Sequence, residues 1–425
     1  MFKSLLLVAL LLLTTVVALP PFNGGSDNTL APLLSYPNAE HIPDEYIVVF
    51  KDAVTDERVS CHHNDVDSLL YEERKMFKRG FMNELISGIQ HTYDFEGFRG
   101  YSGRFSESVL AKIRQSDDVA FVERNQRVYP SIIQNQSPWG LARISHRERL
   151  VQSTFSTYQY DATAGNGVTA YVIDTGVNIN HTDFGGRARW GANFSPGQPD
   201  QDLGGHGTHV AGTIAGTTYG VAKNAQIVAV KVLGPQGGTN SDVIKGVQWT
   251  VADYKKAVDD ARRAGKVYKG AVINMSLGGG KSNALDKAVN EAVTAGIVVV
   301  VAAGNENSDA CLASPSGAEK VITVAASTVE DTRAWFSNWG KCVEIFAPGR
   351  DITSDWIGSN TATNRISGTS MASPHVAGLA AYFLGLSAIP LTPKQVLDKI
   401  VNTATRNALC EVANSPNLLA YNGFA

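Results

Sequence analysis

Apolar and polar positions alternate differently in the two parts of the chain. Between residues 44 and 131 the elements are short. Tyr46–Phe50 reads as a strand, Asp65–Gln90 as a charged helical stretch, and Phe98–Phe105 as a Gly-punctuated strand. Ser106–Gln115 reads as a helix opened by a Ser cap, and Val119–Val128 as a closing strand. This pattern predicts a small α+β domain. From about residue 165 the apolar runs lengthen and alternate with helical stretches. The strands are VTAYVID (168–174), QIVAVKVL (226–233), AVINMSL (271–277), GIVVVVAAG (296–304) and KVITVAAS (320–327). The helices start at His206, run from Asp242 to about Ala264 and over 283–295, and end with an apolar helix from Ser370 to Leu386. Continuous apolar strands are buried on both faces, as in parallel sheets. The expected class is α/β, a mostly parallel sheet flanked by helices, with sites collecting at the carboxyl ends of strands.

The amino terminus differs from both parts. Lys3 precedes a mostly apolar run from Leu5 to Leu19. That run matches a signal-peptide core and falls short of the roughly 20 residues that span a bilayer. Residues 1–19 therefore read as a signal peptide and 20–43, rich in Pro, Gly, Asn and Ser, as a linker. The expected product is secreted, with vacuolar delivery as the alternative and no membrane span. In that compartment the sequons at Asn180 and Asn193 become candidate glycan sites. Asn135 also heads a sequon, and Asn274 heads one that ends an apolar strand and is expected to be inaccessible.

Charge sharpens the division. The 425 residues carry 37 basic and 40 acidic side chains, a near-neutral balance that offers no basic face to nucleic acid. Residues 20–131 hold 18 acidic and 12 basic groups, whereas 132–425 hold 22 and 24. Two physically different domains follow, at 44–131 and 132–425. Four cysteines are too few for a disulfide scaffold.

Candidate chemistry falls at strand ends and helix starts. Asp174 ends YVID, His206 lies in GGHGTHVAGTIAG, Ser370 in SGTSMASPHVAG, and Asn305 in AAGNEN after a buried strand. Taken singly, each has a plain structural role: an Asx turn, an N-cap or a turn residue. His206 and His209 also form an H-x-x-H pair, which leaves a metal-dependent hydrolase open as an alternative. The helix start at Ser370 offers free N–H groups and partial positive charge that suit a developing oxyanion, and the Asn305 amide could donate to the same oxyanion.

The segments DTGVNINHTDF (174–184), GGHGTHVAGTIAG (204–216), SLGGG (276–280), AAGNEN (302–307) and SGTSMASPHVAGLAAY (367–382) resemble the signatures of subtilisin-like serine proteases. The order Asp, His, Ser separates the chain from α/β-hydrolases. PWGLARISHRERL (138–150), YGVAKNA (219–225) and FSNWGKCVEIFAPG (336–349) are similar to the proteinase K group, nearest its fungal cerevisin type. Residues 44–130 resemble the ferredoxin-like, inhibitor-type prosegment of the same family.

The resemblance implies a self-processed zymogen. Its serine endopeptidase would use Ser370, His206 and Asp174, with Asn305 at the oxyanion and no catalytic cofactor. An inactive, protein-binding member of the family is the alternative, against which the four intact residues argue. Protein and peptide substrates would add as a strand between Ser276-Leu277-Gly278 and the edge at Gly237 and Gly238. Ala303 and Gly304 would help line the first specificity pocket, with broad preference for apolar or aromatic residues. The segment GPQGGTN (234–240) departs from the proteinase K pattern and leaves the fourth pocket open. The prosegment would act as chaperone and inhibitor of a monomeric enzyme and be cut within Tyr129–Gln134. The resemblance also implies a Cys311–Cys342 disulfide, a free Cys410, and a structural calcium at Glu344 near Glu319 and Val321.

Overall fold

A computed structural model describes residues 30–36, 41–76, 88–126 and 131–424. The expected signal peptide lies outside these residues. The chain separates into two compact units, Met1–Arg127 and Val128–Ala425.

In the first unit the order is β1 (His41–Phe50), α1 (Asp56–Met76), β2 (Gly88–Phe95), β3 (Phe98–Arg104), α2 (Glu107–Arg114) and β4 (Val119–Gln126). The antiparallel pairings place the strands in the order β4, β1, β3, β2, the ferredoxin-like arrangement expected. Leu33–Leu34 adds a parallel edge beside β4. The stretch expected to be a linker therefore contributes to the sheet, and β1 begins inside it at His41. Helix α1 starts at Asp56, nine residues before the sequence reading placed it. Its first turn carries Asp56 and Glu57, which suit the positive end of the helix dipole but show no apolar period. Residues 88–90, read as helix, belong to β2, whose burial pattern alternates too weakly to mark a strand. Tyr46, Val48, Phe50, Tyr101, Phe105, Ile113 and Val122 form the core.

Among the described residues the second unit is built on a nine-stranded sheet. Its main strands are β5 (Val168–Asp174), β6 (Ala188–Asn193), β7 (Gln226–Lys231), β8 (Gly270–Met275), β9 (Val298–Ala302), β10 (Ile322–Ser327) and β11 (Ile345–Pro348). They run parallel in the order β6, β7, β5, β8, β9, β10, β11. Short strands Leu418–Leu419 and Thr405–Arg406 extend the β11 edge. Alternate side chains leave each strand on opposite faces. Val168, Ala170 and Val172 enter one apolar cluster with α4 (His206–Ala215) and α7 (Thr369–Leu386). Tyr171 and Ile173 enter the other, with α5 (Asn240–Arg263) and α6 (Asn283–Thr294). Strands β6 and β11 and helices α3 (Trp139–Ile144) and α8 (Pro393–Thr403) were not anticipated from the sequence.

After β5 the chain builds β6 and β7 on one side and then crosses to β8 on the other. The carboxyl ends of β5 and β8 thus flank a topological switch point, where ligands of open α/β sheets bind. Helix α7 passes beside α4 closely enough that a Cβ at Gly378 would meet Val221 at 2.7 Å and the Ile214 carbonyl at 3.0 Å. Only glycine permits that approach. Cys311 and Cys342 form the expected disulfide, while Cys61 and Cys410 are free and exposed. Closing a loop of 31 residues contributes about 3–4 kcal/mol through the unfolded chain.

Candidate active site

Asp174 ends β5, where its buried carboxylate accepts from Thr175 N through Oδ1 at 2.7 Å. Both carboxylate oxygens face His206 Nδ1, at 2.8 Å and 3.0 Å. A carboxylate only accepts here, so Nδ1 carries the proton and Nε2 is the basic nitrogen. The His206 side chain is 29% exposed. Burial pulls its pKa down, but the Asp174 charge and hydrogen bond, with Asp202 adding, outweigh this and raise it above the ordinary value.

His206 opens α4, whose N-cap is Gly205 at φ +82°, a conformation that favours glycine. No cap side chain satisfies the first N–H groups. Asp202 does so from outside. Its Oδ1 accepts from Gly204 N, Gly205 N and the Thr175 hydroxyl, and its Oδ2 from Thr208 N and Oγ1. One carboxylate therefore joins the residue after Asp174 to the helix start that holds His206. Lys231 at the end of β7 is buried and donates to the Thr175 carbonyl at 2.6 Å.

Ser370 is the second residue of α7. Pro374 lacks an N–H, so it cannot donate to the Ser370 carbonyl four residues back. Ser276 Oγ fills that place, donating to the Ser370 carbonyl at 2.7 Å. In turn Ser370 Oγ donates to the Ser276 carbonyl at 3.3 Å. Asn274 at the end of β8 supports the same junction. Its Nδ2 donates to Ser276 Oγ at 2.9 Å and its Oδ1 accepts from Ser373 Oγ at 2.8 Å. No hydrogen bond joins Ser370 Oγ to His206 among the described residues.

Asn305 follows β9. Its Oδ1 accepts from Thr369 N at 2.8 Å and Thr369 Oγ1 at 2.9 Å, which leaves Nδ2 to donate elsewhere. Gly304 N closes the arrangement onto Thr369 Oγ1 at 3.1 Å. A cleft of about 440 Å³ is lined by His206, Gly237, Gly238, Ser276, Leu277 and Gly278, with Leu233, Val243 and Leu285 among its apolar walls. The predicted edge residues thus share one cleft with the predicted base. Ala303 and Gly304 sit in the loop that presents Asn305.

The H-x-x-H reading fails on geometry. His209 is buried, and its Nε2 is hydrogen-bonded to the Ile352 carbonyl at 2.9 Å. Burial pushes its pKa down to about 4. Among the described residues no group of three or more His, Cys, Asp and Glu side chains could hold a metal ion. Glu344 accepts from Thr323 N through Oε2 at 2.6 Å, and burial pushes its carboxyl up to about 7. No cationic side chain pairs with it among the described residues, and a single carboxylate means that any bound cation would have to draw its other oxygens from backbone carbonyls and water.

The sequons differ in availability. Asn180 is exposed. Asn193 Nδ2 donates to the Gln198 carbonyl and Asp200 Oδ1, and Asn274 is buried. No helix of the described residues is long and apolar enough to cross a membrane.

Known proteins resemble this chain in sequence and fold. Residues 165–422 match the Subtilase family and residues 45–131 match Peptidase inhibitor I9. Subtilisin-like protease 8 of Arthroderma benhamiae is 51% identical over 92% of this chain and 84% of its own length. Alkaline protease 2 of Aspergillus fumigatus is 48% identical over 99% of this chain and 89% of its own. Subtilisin-like serine protease Pen c 2 of Penicillium citrinum is 47% identical, covering 99% and 96%. The crystal structure of a cold-adapted subtilisin-like serine proteinase is similar with a TM-score of 0.61 and 44% identity, covering 68% of this chain and 98% of its own. The chain belongs to the subtilase family. It is a subtilisin-like serine endopeptidase that carries an I9 inhibitor prosegment, as a zymogen does.

Sequence reasoning singled out Asp174, His206, Asn305 and Ser370; the structure sets Asp174 against His206 and Asn305 against the residue before Ser370. The same reasoning passed over Asp202, Asn274, Asn338 and Thr369. Asp202 did carry a signal, an acid four residues before His206 at a Gly-rich helix start. Asn338, whose side chain bonds to Ala303, Glu306 and Ser308, gave none, because those partners lie 30 to 35 residues away.

Proposed function

We propose that Ser370 is the nucleophile, His206 its general base and Asp174 the group that fixes the imidazole. The observation that carries this is the two-oxygen contact of Asp174 with His206 Nδ1, which frees Nε2 to face the cleft. Ser370 Oγ attacks the peptide carbonyl while Nε2 takes its proton and later gives it to the leaving amine. Asn305 Nδ2 and the Ser370 backbone N–H receive the oxyanion. Substrate lies extended between 276–278 and 237–238. Leu233, Val243 and Leu285 support broad specificity for apolar or aromatic side chains. A fluorophosphonate is expected to label Ser370 and stop peptide hydrolysis, while a chelator leaves the rate unchanged. A label on any other residue overturns the assignment.

The same reading covers the life of the precursor. The chain enters the secretory route, Asn180 accepts the glycan, and the enzyme cuts its own prosegment within Tyr129–Gln134 and works as a monomer. Asn193 is the poorer glycan acceptor because its amide is already bonded twice. Amino-terminal sequencing of the mature form locates the cut. Glu344, with backbone carbonyls near Glu319 and Val321, would hold a structural calcium, which would keep its carboxylate ionised. Added calcium is expected to raise the thermal midpoint. A midpoint that calcium does not move argues against that site.

A further inference from the structure

We propose that Asn338 is a positioning residue of the reaction, clamping the 303–308 loop so that Asn305 stays aimed at the developing oxyanion. The inference rests on the reading of Asn305 as oxyanion donor. Asn338 is fully buried between β10 and β11 in sequence. Its Nδ2 donates to the Ala303 carbonyl at 2.9 Å and to Glu306 Oε2 at 2.8 Å. Its Oδ1 accepts from Glu306 N at 3.0 Å, Ser308 N at 2.9 Å and Ser308 Oγ at 3.3 Å. Its own N–H donates to the Gly304 carbonyl at 2.9 Å. One amide therefore fastens the loop on both sides of Asn305.

The clamp answers a need that Asn305 cannot meet itself. Asn305 is exposed, and its two bonds to Thr369 hold only the acceptor end of its side chain. The backbone that carries it belongs to no helix or strand. A misplacement of about 1 Å near a reacting centre can cost about 10²-fold in rate. A terminal amide alone offers two donors and an acceptor with two lone pairs on one short stem. The fit is close, since a Cβ at Gly304 would lie 2.3 Å from Asn338 Nδ2.

The test is a double-mutant cycle on purified, processed enzyme, with active sites counted by fluorophosphonate. Variants that process slowly are matured in trans by a trace of tagged wild-type enzyme, which is then removed. Asn338→Ser deletes the clamp. If the first variant does not fold, Asn338→Asp combined with Glu306→Gln keeps the shape and the acceptor bonds without setting two carboxylates against each other. Each is measured alone and with Asn305→Ala, reading kcat and KM for one peptide. We expect kcat to fall tenfold or more with KM within threefold, and to fall less than threefold in the Asn305→Ala background. Equal factors in both backgrounds overturn the clamp while leaving the oxyanion reading intact. An Asn305→Ala enzyme with unchanged kcat overturns that reading, and the clamp with it.

Discussion

Ser370→Ala is expected to lower kcat by about 10⁶, the loss typical of this class of triad when its nucleophile is removed. What remains would be the contribution of binding and oxyanion donors, about 10³–10⁴ over water. The fold should survive. The hydroxyl gives up one long hydrogen bond, to Ser276 at 3.3 Å, while the backbone junction with Ser276 Oγ is retained. The purified variant should therefore keep a near-normal thermal midpoint and remain full length. Full-length chain on a denaturing gel, with cleavage restored by added wild-type enzyme, is the expected result. Mature-sized product from the purified variant alone would rule out self-processing.

Asp174→Asn is expected to lower kcat by about 10⁴ while leaving the contact distances nearly unchanged. Thr175 N already donates to Asp174 Oδ1 at 2.7 Å, so an asparagine there would turn its oxygen toward that N–H. Its amide group would then face His206 Nδ1 as a donor. The imidazole must accept on Nδ1 and place its proton on Nε2, where a base is needed. The pH profile should move as well. As the proposed general base, His206 would work only when neutral, so activity is expected to disappear as pH falls through its raised pKa. Substitution removes the charge and hydrogen bond of Asp174 and leaves burial dominant. The acid limb of kcat/KM, measured from pH 5 to 9, should shift to lower pH while the plateau drops. An acid limb that stays in place would mean that Asp174 does not set the protonation of His206.

The contrast between what the chain announced and what it concealed is physical. The central strands were legible because burial on both faces forces apolar residues at successive positions, as in Val298–Val301. Asp174, His206, Asn305 and Ser370 were legible because each follows a buried strand or opens a helix among small residues. Strand β2 was obscured because most of its side chains are not buried, and the start of α1 because charge, not apolar period, marks it. Asp202 and Asn338 were obscured for another reason. Their importance lies in the number of backbone groups each satisfies, and those groups meet only after folding.

Pro374 carries one consequence further. By withholding a helical N–H it leaves the Ser370 carbonyl to Ser276, which also borders the substrate cleft. On the proposed reading, the rim that would read the substrate and the helix turn that would attack it are thus mechanically one part. Altered selectivity at this rim should come paired with altered turnover. Attempts to retune the enzyme by changing residue 276 would be changing its rate constant at the same time, whereas among the described residues the opposite rim at Gly237 and Gly238 makes no hydrogen bond to Ser370 and is the freer place for variation.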